Sequence, residues 1–266
     1  MSAPRTCARP SAERVGAEGE GLDTCAIILA GGTGERFGDP RGKQFAELCG
    51  LPIMSWSVMA FDRAPSVSSI VIVCAPDKVS AVQQEVLSRL TLAKPVGFAP
   101  SGATRQDSVY SGLQAVPRDA ALVAVHDSAR PLVEVDSIER CCATVRADAS
   151  LAGAICANRS VDTLKLVEGN KIVATPNREF YWVAQTPQVF YAKPLMAAYK
   201  AALWEGFAGT DDASLVERHG GTVECVECPR DNIKVTVPED LAVAAATMEQ
   251  RLVEEGCGRR YGRDPQ

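Results

Sequence analysis

Apolar residues along the chain follow two alternating rhythms. Short unbroken runs occupy 24–30, 69–74 and 121–126, where Ile70-Val71-Ile72-Val73 and Leu122-Val123-Ala124-Val125 are the densest stretches. Runs of this length and β-branched content fit strands buried on both faces of a parallel sheet. Between and after them, 54–63, 78–90, 105–115 and 137–147 place apolar residues near every 3.6 positions, the period of an amphipathic helix. Strand followed by helix followed by strand implies right-handed crossovers, so the expected fold class is α/β with a doubly wound, mostly parallel sheet.

The rhythm changes after Leu151. Segments 161–167 and 171–175 alternate around Glu168-Gly169-Asn170, a hairpin signature. A two-stranded ribbon is marginal alone, so an arm at about 158–178 is expected to pack on a second subunit, making a homodimer. Helical patterns return at 194–204 and 211–218, then strands at 222–226 and 232–236, then a last helix over 238–254. Without an internal repeat or long linker, 23–256 reads as one domain carrying an inserted arm. The Pro/Gly/Glu-rich stretch 1–22 has no apolar core of a signal peptide and reads as a disordered leader, and 257–266 as a flexible tail.

Composition narrows the classes. Of 266 residues, 46% are apolar and 23% charged, which excludes a disordered, collagen-like or coiled-coil chain. A net charge of -5 gives no general attraction to nucleic acid or to an anionic membrane, so any phosphate site must be local. Ten cysteines lie mostly inside apolar runs and read as small buried hydrophobes in a reducing cytoplasm. Cys225 and Cys228 form one CxxC, but without a second pair and with two histidines in all, a zinc site is not expected.

In an open α/β sheet, ligands bind beyond the carboxyl ends of the strands. The loop after the first run, from Leu29 to Gln44, holds Ala30, Gly31, Gly32 and Gly34 with the cations Arg36 and Lys43. Glycines let backbone N–H groups approach phosphate oxygens, and the cations supply charge. Phe37 stands where both the dinucleotide fingerprint and the P-loop require glycine, and Gln44 lacks the P-loop hydroxyl, so both fail. After the third run, His126-Asp127-Ser128-Ala129-Arg130-Pro131 offers Asp127 for a hydroxyl or metal ion and Arg130 for a phosphate. His126 reads as structural, and no Ser/His/Asp triad is evident.

Six further segments complete a pattern: Gly102-Ala103-Thr104-Arg105-Gln106-Asp107-Ser108-Val109, the Asp127 loop, Asp162-Thr163-Leu164-Lys165, Gln185-Thr186-Pro187-Gln188, Thr210-Asp211-Asp212-Ala213 and Asp231-Asn232-Ile233-Lys234-Val235-Thr236. With the glycine loop they resemble, in order, the 2-C-methyl-D-erythritol 4-phosphate cytidylyltransferases of the non-mevalonate isoprenoid pathway. The resemblance implies a Rossmann-like sheet of nucleotidyltransferase type, an arm that builds a homodimer, and magnesium-dependent joining of CTP to a polyol phosphate with loss of pyrophosphate. It implies that Arg36 and Lys43 stabilise the transition state, and that Ala30, Gly31, Gly32, Gly102 and Ser108 contact CTP. By the same resemblance Asp127, Arg130, Thr163, Arg178, Thr210 and Lys234 surround the polyol phosphate, and Asp127 is the candidate metal contact beside the CTP phosphates.

The chain departs from that pattern at Gly42, where proline is usual, at Ala103, where many members carry an acid, and at Arg159, where proline is usual. Gly42 is expected to loosen the loop before Lys43. Two other readings compete: a CTP-dependent transferase acting on ribitol 5-phosphate, and a non-catalytic nucleotide-binding regulator. Intact Arg36 and Lys43 argue against the regulator.

Overall fold

The computed structural model describes residues 23–32, 37 and 41–254. The proposed leader, the tail from 257 and Arg36 lie outside these residues. Seven strands form one mixed sheet in the order β11 (Thr222–Glu227), β7 (Leu151–Arg159), β10 (Trp182–Tyr191), β6 (Leu122–Asp127), β1 (Thr24–Leu29), β4 (Val67–Cys74) and β5 (Val96–Pro100). The first expected runs become β1 (Thr24–Leu29), β4 (Val67–Cys74) and β6 (Leu122–Asp127), and the edge is β5 (Val96–Pro100). β1 lies between β4 and β6 and pairs parallel with both. The burial of Cys25, Ile27, Ile28, Ile72 and Val125 explains why these runs lack polar alternation. Two small strands, β2 (Glu47–Leu48) and β3 (Leu51–Pro52), form a separate hairpin.

Helices cover both faces. They are α1 (Ile53–Arg63), a broken second helix, α3 (Arg105–Gln114), α4 (Val135–Ala147), α5 (Ala192–Glu205), α6 (Asp212–Arg218) and α7 (Pro238–Glu254). The second begins as α2 (Val79–Ala81) and continues through a π turn, Val82–Val86, into a 3-10 turn, Leu87–Arg89. Apolar side chains on one sheet face pack with α1 and α4 residues such as Phe61 and Ile138, and those on the other with α3 and α5 residues such as Val109 and Tyr199. No helix among the described residues is long and apolar enough to cross a membrane.

The largest difference from the expected elements lies after Leu151. Two strands that the pattern did not reveal, β7 (Leu151–Arg159) and β10 (Trp182–Tyr191), sit inside the sheet, with β10 antiparallel to both β6 and β7. β10 contains Pro187, which cannot donate to a ladder, and the pairing with β7 is interrupted between Ala184 and Gln188 where it stands. The hairpin is real but shorter than expected: β8 (Leu166–Glu168) pairs with β9 (Lys171–Ala174), and residues 161–165 are irregular. Residues 222–226 form β11 (Thr222–Glu227), whereas 232–236 form no strand and hang on single bonds such as Val235 N–H to the Ala129 carbonyl, 2.8 Å.

Candidate active site

β1 is the point where the chain reverses its direction of travel across the sheet, from β4 and β5 on one side to β6 on the other. The loops leaving β1 and β6 therefore part at their carboxyl ends, where such sheets leave a crevice. A cavity of about 370 Å³ opens there, lined by Ala30, Gly31, Gly32, Lys43, Gly102, Ser108, Asp127 and Lys234 together with Gln44, Thr104, Arg105 and Ser128. Eight of the expected contact residues thus converge from four segments of the chain. A second cavity of about 350 Å³, between α1, α7 and the segment after β6, contains none of them.

Close approach of two loops explains one glycine. A side-chain carbon on Gly31 would stand 2.5 Å from Ser101 Cβ, so nothing larger fits where the β1 and β5 loops meet. The β5 loop is held from below: the Gly102 N–H donates to Ser108 Oγ at 3.0 Å, and that hydroxyl donates to the Thr104 carbonyl at 2.9 Å. Ser108 is buried and shapes the loop as well as facing the cavity. Thr104 and Asp107 form a reciprocal capping box that starts α3.

The charged centre is Asp127. Its carboxylate accepts from Lys234 Nζ at 2.6 Å on one oxygen and from Arg105 Nε at 3.4 Å on the other. Burial alone pushes this carboxyl up, but Arg105 and Lys234 outweigh it and hold it well below the usual carboxylate range. Arg105 in turn donates to both oxygens of Asp212, at 3.1 and 2.8 Å, and Asp212 accepts the Tyr199 hydroxyl. Gln188 on β10 accepts from the Asp212 and Ala213 N–H groups, both at 3.1 Å, and donates to Asp211 at 2.9 Å.

His126 is fully buried behind this centre. The Asp127 N–H donates to Thr186 Oγ1 at 3.1 Å, and the threonine hydroxyl bonds His126 Nδ1 at 3.0 Å. Because the Arg130 carbonyl, 3.3 Å from Nε2, can only accept, the ring must carry its proton on Nε2 and accept from Thr186 on Nδ1. Burial lowers its pKa to about 3, so the imidazole is neutral and structural, as its place on a strand implied.

Four expected contacts lie elsewhere. Arg130 does not line the cavity and donates from Nη1 to the Asn232 carbonyl at 2.8 Å. Thr163 and Arg178 sit on the exposed arm, where Arg178 donates to the Val161 carbonyl. Thr210 is exposed, and the N-cap of α6 is Asp211, not Thr210: Asp211 accepts from the Ser214 N–H at 2.9 Å. Arg105, Asp212, Thr186 and Gln188 lie within the motifs but received no role from the sequence, and Tyr199 lies outside them. A signal existed for Arg105, since a cation in the first turn of a helix opposes the positive end of the dipole and needs a carboxylate nearby.

Comparison with known proteins places this geometry. Residues 24–250 match the family model described as 2-C-methyl-D-erythritol 4-phosphate cytidylyltransferase. The chain belongs to this family. It is 38% identical to the enzyme of that name from Caldanaerobacter subterraneus subsp. tengcongensis, over 84% of this chain and 97% of the relative. With that from Geobacter metallireducens it shares 39% identity over 85% and 98%. Among solved structures, the Francisella tularensis 2-C-methyl-D-erythritol 4-phosphate cytidylyltransferase superposes with a TM-score of 0.70 at 30% identity, covering 84% of this chain and 98% of that one. A 4-diphosphocytidyl-2C-methyl-D-erythritol synthase from Anaerococcus prevotii reaches 0.75 at 26% identity, covering 85% and 96%.

Proposed function

We propose that this chain transfers the cytidylyl group of CTP to 2-C-methyl-D-erythritol 4-phosphate and releases pyrophosphate, a step of isoprenoid precursor synthesis in the cytoplasm. The observation that carries the reading is the convergence of Lys43, Lys234 and Asp127 on one glycine-walled cavity in a chain of this family. A phosphate oxygen of the polyol phosphate attacks the α-phosphorus of CTP, and the bond to the β-phosphate breaks. The nucleophile is already anionic, so no general base is needed, which agrees with a buried neutral His126. The protein's work is positioning and charge neutralisation. Lys43 faces the triphosphate from the segment after β1, and Arg36, earlier in the sequence, is assigned the same role by the family resemblance. Backbone groups at Gly31, Gly32 and Gly102 line the nucleotide's side of the cavity, and Lys234 and Asp127 line the acceptor's side.

A divalent cation, magnesium, would neutralise the triphosphate when bound. Among the described residues no group of three or more His, Cys, Asp or Glu side chains is arranged to hold a metal ion. Among the described residues Asp127 is the one carboxylate lining the cavity, so the site fits an ion held mainly by phosphate oxygens, with Asp127 as its protein contact.

Arm residues bear on the assembly. Leu166, Ile172, Phe180 and Val183 are exposed, Phe180 at 81%, which leaves an apolar surface for a second copy of the chain. A homodimer through this arm would cover it and give Thr163 and Arg178 an acceptor site to complete. Purified protein mixed with each nucleoside triphosphate and each polyol phosphate tests the reaction. Pyrophosphate should appear only with CTP and the methylerythritol phosphate. Preference for ribitol 5-phosphate, or release without any acceptor, would overturn the assignment.

A further inference from the structure

Among the described residues the Asp127 carboxylate in the cavity meets two cations, Arg105 and Lys234, and they are held very differently. Arg105 uses three nitrogens on protein: Nε on Asp127 and both Nη atoms on Asp212. Asp212 has no solvent exposure at its side chain, is tied by the Tyr199 hydroxyl, and sits at the start of α6 under the grip of Gln188. Moving Arg105 would leave a buried carboxylate without its charge partner, so the guanidinium is fixed. Among the described residues the Lys234 ammonium bonds Asp127 alone, its side chain is 41% exposed, and it rides on residues 232–236, which belong to no strand.

We propose that Arg105 is a positioning residue for this site, anchored by Asp212 and Tyr199, which fixes the Asp127 carboxylate so that Lys234 can leave it for an incoming phosphate. The inference rests on the cavity being the transferase site. Without Arg105, Asp127 keeps Lys234 as its only cation partner among the described residues, and the two lock together. The carboxylate then swings toward the lysine and both groups are withdrawn from the acceptor. Arg105 touches neither reacting atom in this account and acts through Asp127 alone.

Removing the arginine by itself would strand Asp212, so the useful variant is the pair Arg105→Met with Asp212→Asn, which empties both charges together. Wild type is assayed first with CTP and methylerythritol phosphate. Absence of pyrophosphate there defeats the functional reading and this inference with it. Given an active wild type, the pair should raise KM for the polyol phosphate at least tenfold while KM for CTP stays within threefold, and Arg105→Lys should recover part of the loss. The same pair placed on Asp127→Asn should cost less than threefold further in kcat/KM, because the residue it acts through is already disabled. Unchanged acceptor KM, or an undiminished loss in the Asp127→Asn background, would show that Arg105 and Asp212 merely hold the fold. A melting temperature for each variant identifies any that fails to fold, and Tyr199→Phe, which keeps both charges, then serves as the milder probe with a smaller shift of the same KM.

Discussion

Lys43 follows Gly42, whose backbone has φ of 101°, a region closed to proline and unfavourable for any residue with a side chain. A proline at this position could not take this conformation. Lys43→Ala should lower turnover by about 100-fold or more, the scale on which charge stabilisation is lost, with little change in melting temperature. Turnover within about threefold of wild type would remove Lys43 from the mechanism. Buried His126 makes a second residue-scale expectation. The unfolded chain takes up a proton at this residue below pH ~6.5, whereas the folded chain refuses it until about pH 3. More protons are bound by the unfolded state across that window, so stability falls as pH drops through it, by a few kcal/mol at most. Imidazole nitrogen shifts at pH 5 should read a neutral ring protonated on Nε2, and an imidazolium signal from folded protein would contradict the hydrogen-bond chain.

Contacts between elements shape the cavity and leave the arm exposed. The β1 and β5 loops touch at Gly31, so Gly31→Ala must push Ser101 aside and part the walls. Weaker CTP binding, by about tenfold or more in calorimetry, is the expected outcome, and unchanged affinity would mean the loops give way freely. The arm is the other case. Its strands β8 and β9 are exposed at every residue, a poor state for Leu166, Ile172 and Val173 in an isolated hairpin. Phe180→Asp should shift the protein to monomer in sedimentation and depress activity, while a wild type that sediments as monomer would dispose of the interface. These elements were unequally legible. β1, β4, β6 and the helix over 238–254 announced themselves through apolar period, but β10 did not, because Pro187 reads as a strand breaker until the sheet is seen to bulge around it. β5 was masked in the same way by Gly97 and Pro100, which an edge strand tolerates.

At the scale of the whole molecule, ligand and fold are linked. The cavity is built from segments near Gly31, Gly102, Asp127 and Lys234, so CTP bound there would join distant parts of the chain and stabilise the native state. At 100 times its Kd a ligand adds about 2.7 kcal/mol, which for a domain of this size raises Tm by about 5–10 °C. Scanning calorimetry with CTP, and with ATP as the control, should show this rise for CTP alone. Equal shifts with both nucleotides would deny base selection.

The alternating α/β plan, the glycine loop after β1, the Asp127 turn and the family itself are all carried by local patterns, since period and motif spacing are properties of neighbouring residues. Which strand lies beside which, and which expected residues meet, are not. Arg130 stands three positions from Asp127 yet donates to the Asn232 carbonyl and does not line the cavity, while Arg105 and Asp212, 107 positions apart, form the cavity's ionic anchor. Pairings at that distance depend on the sheet order and on how α3 and α6 pack against it. They arise because a buried charge must find its counter-charge wherever the fold brings one, and only the folded chain decides where that is.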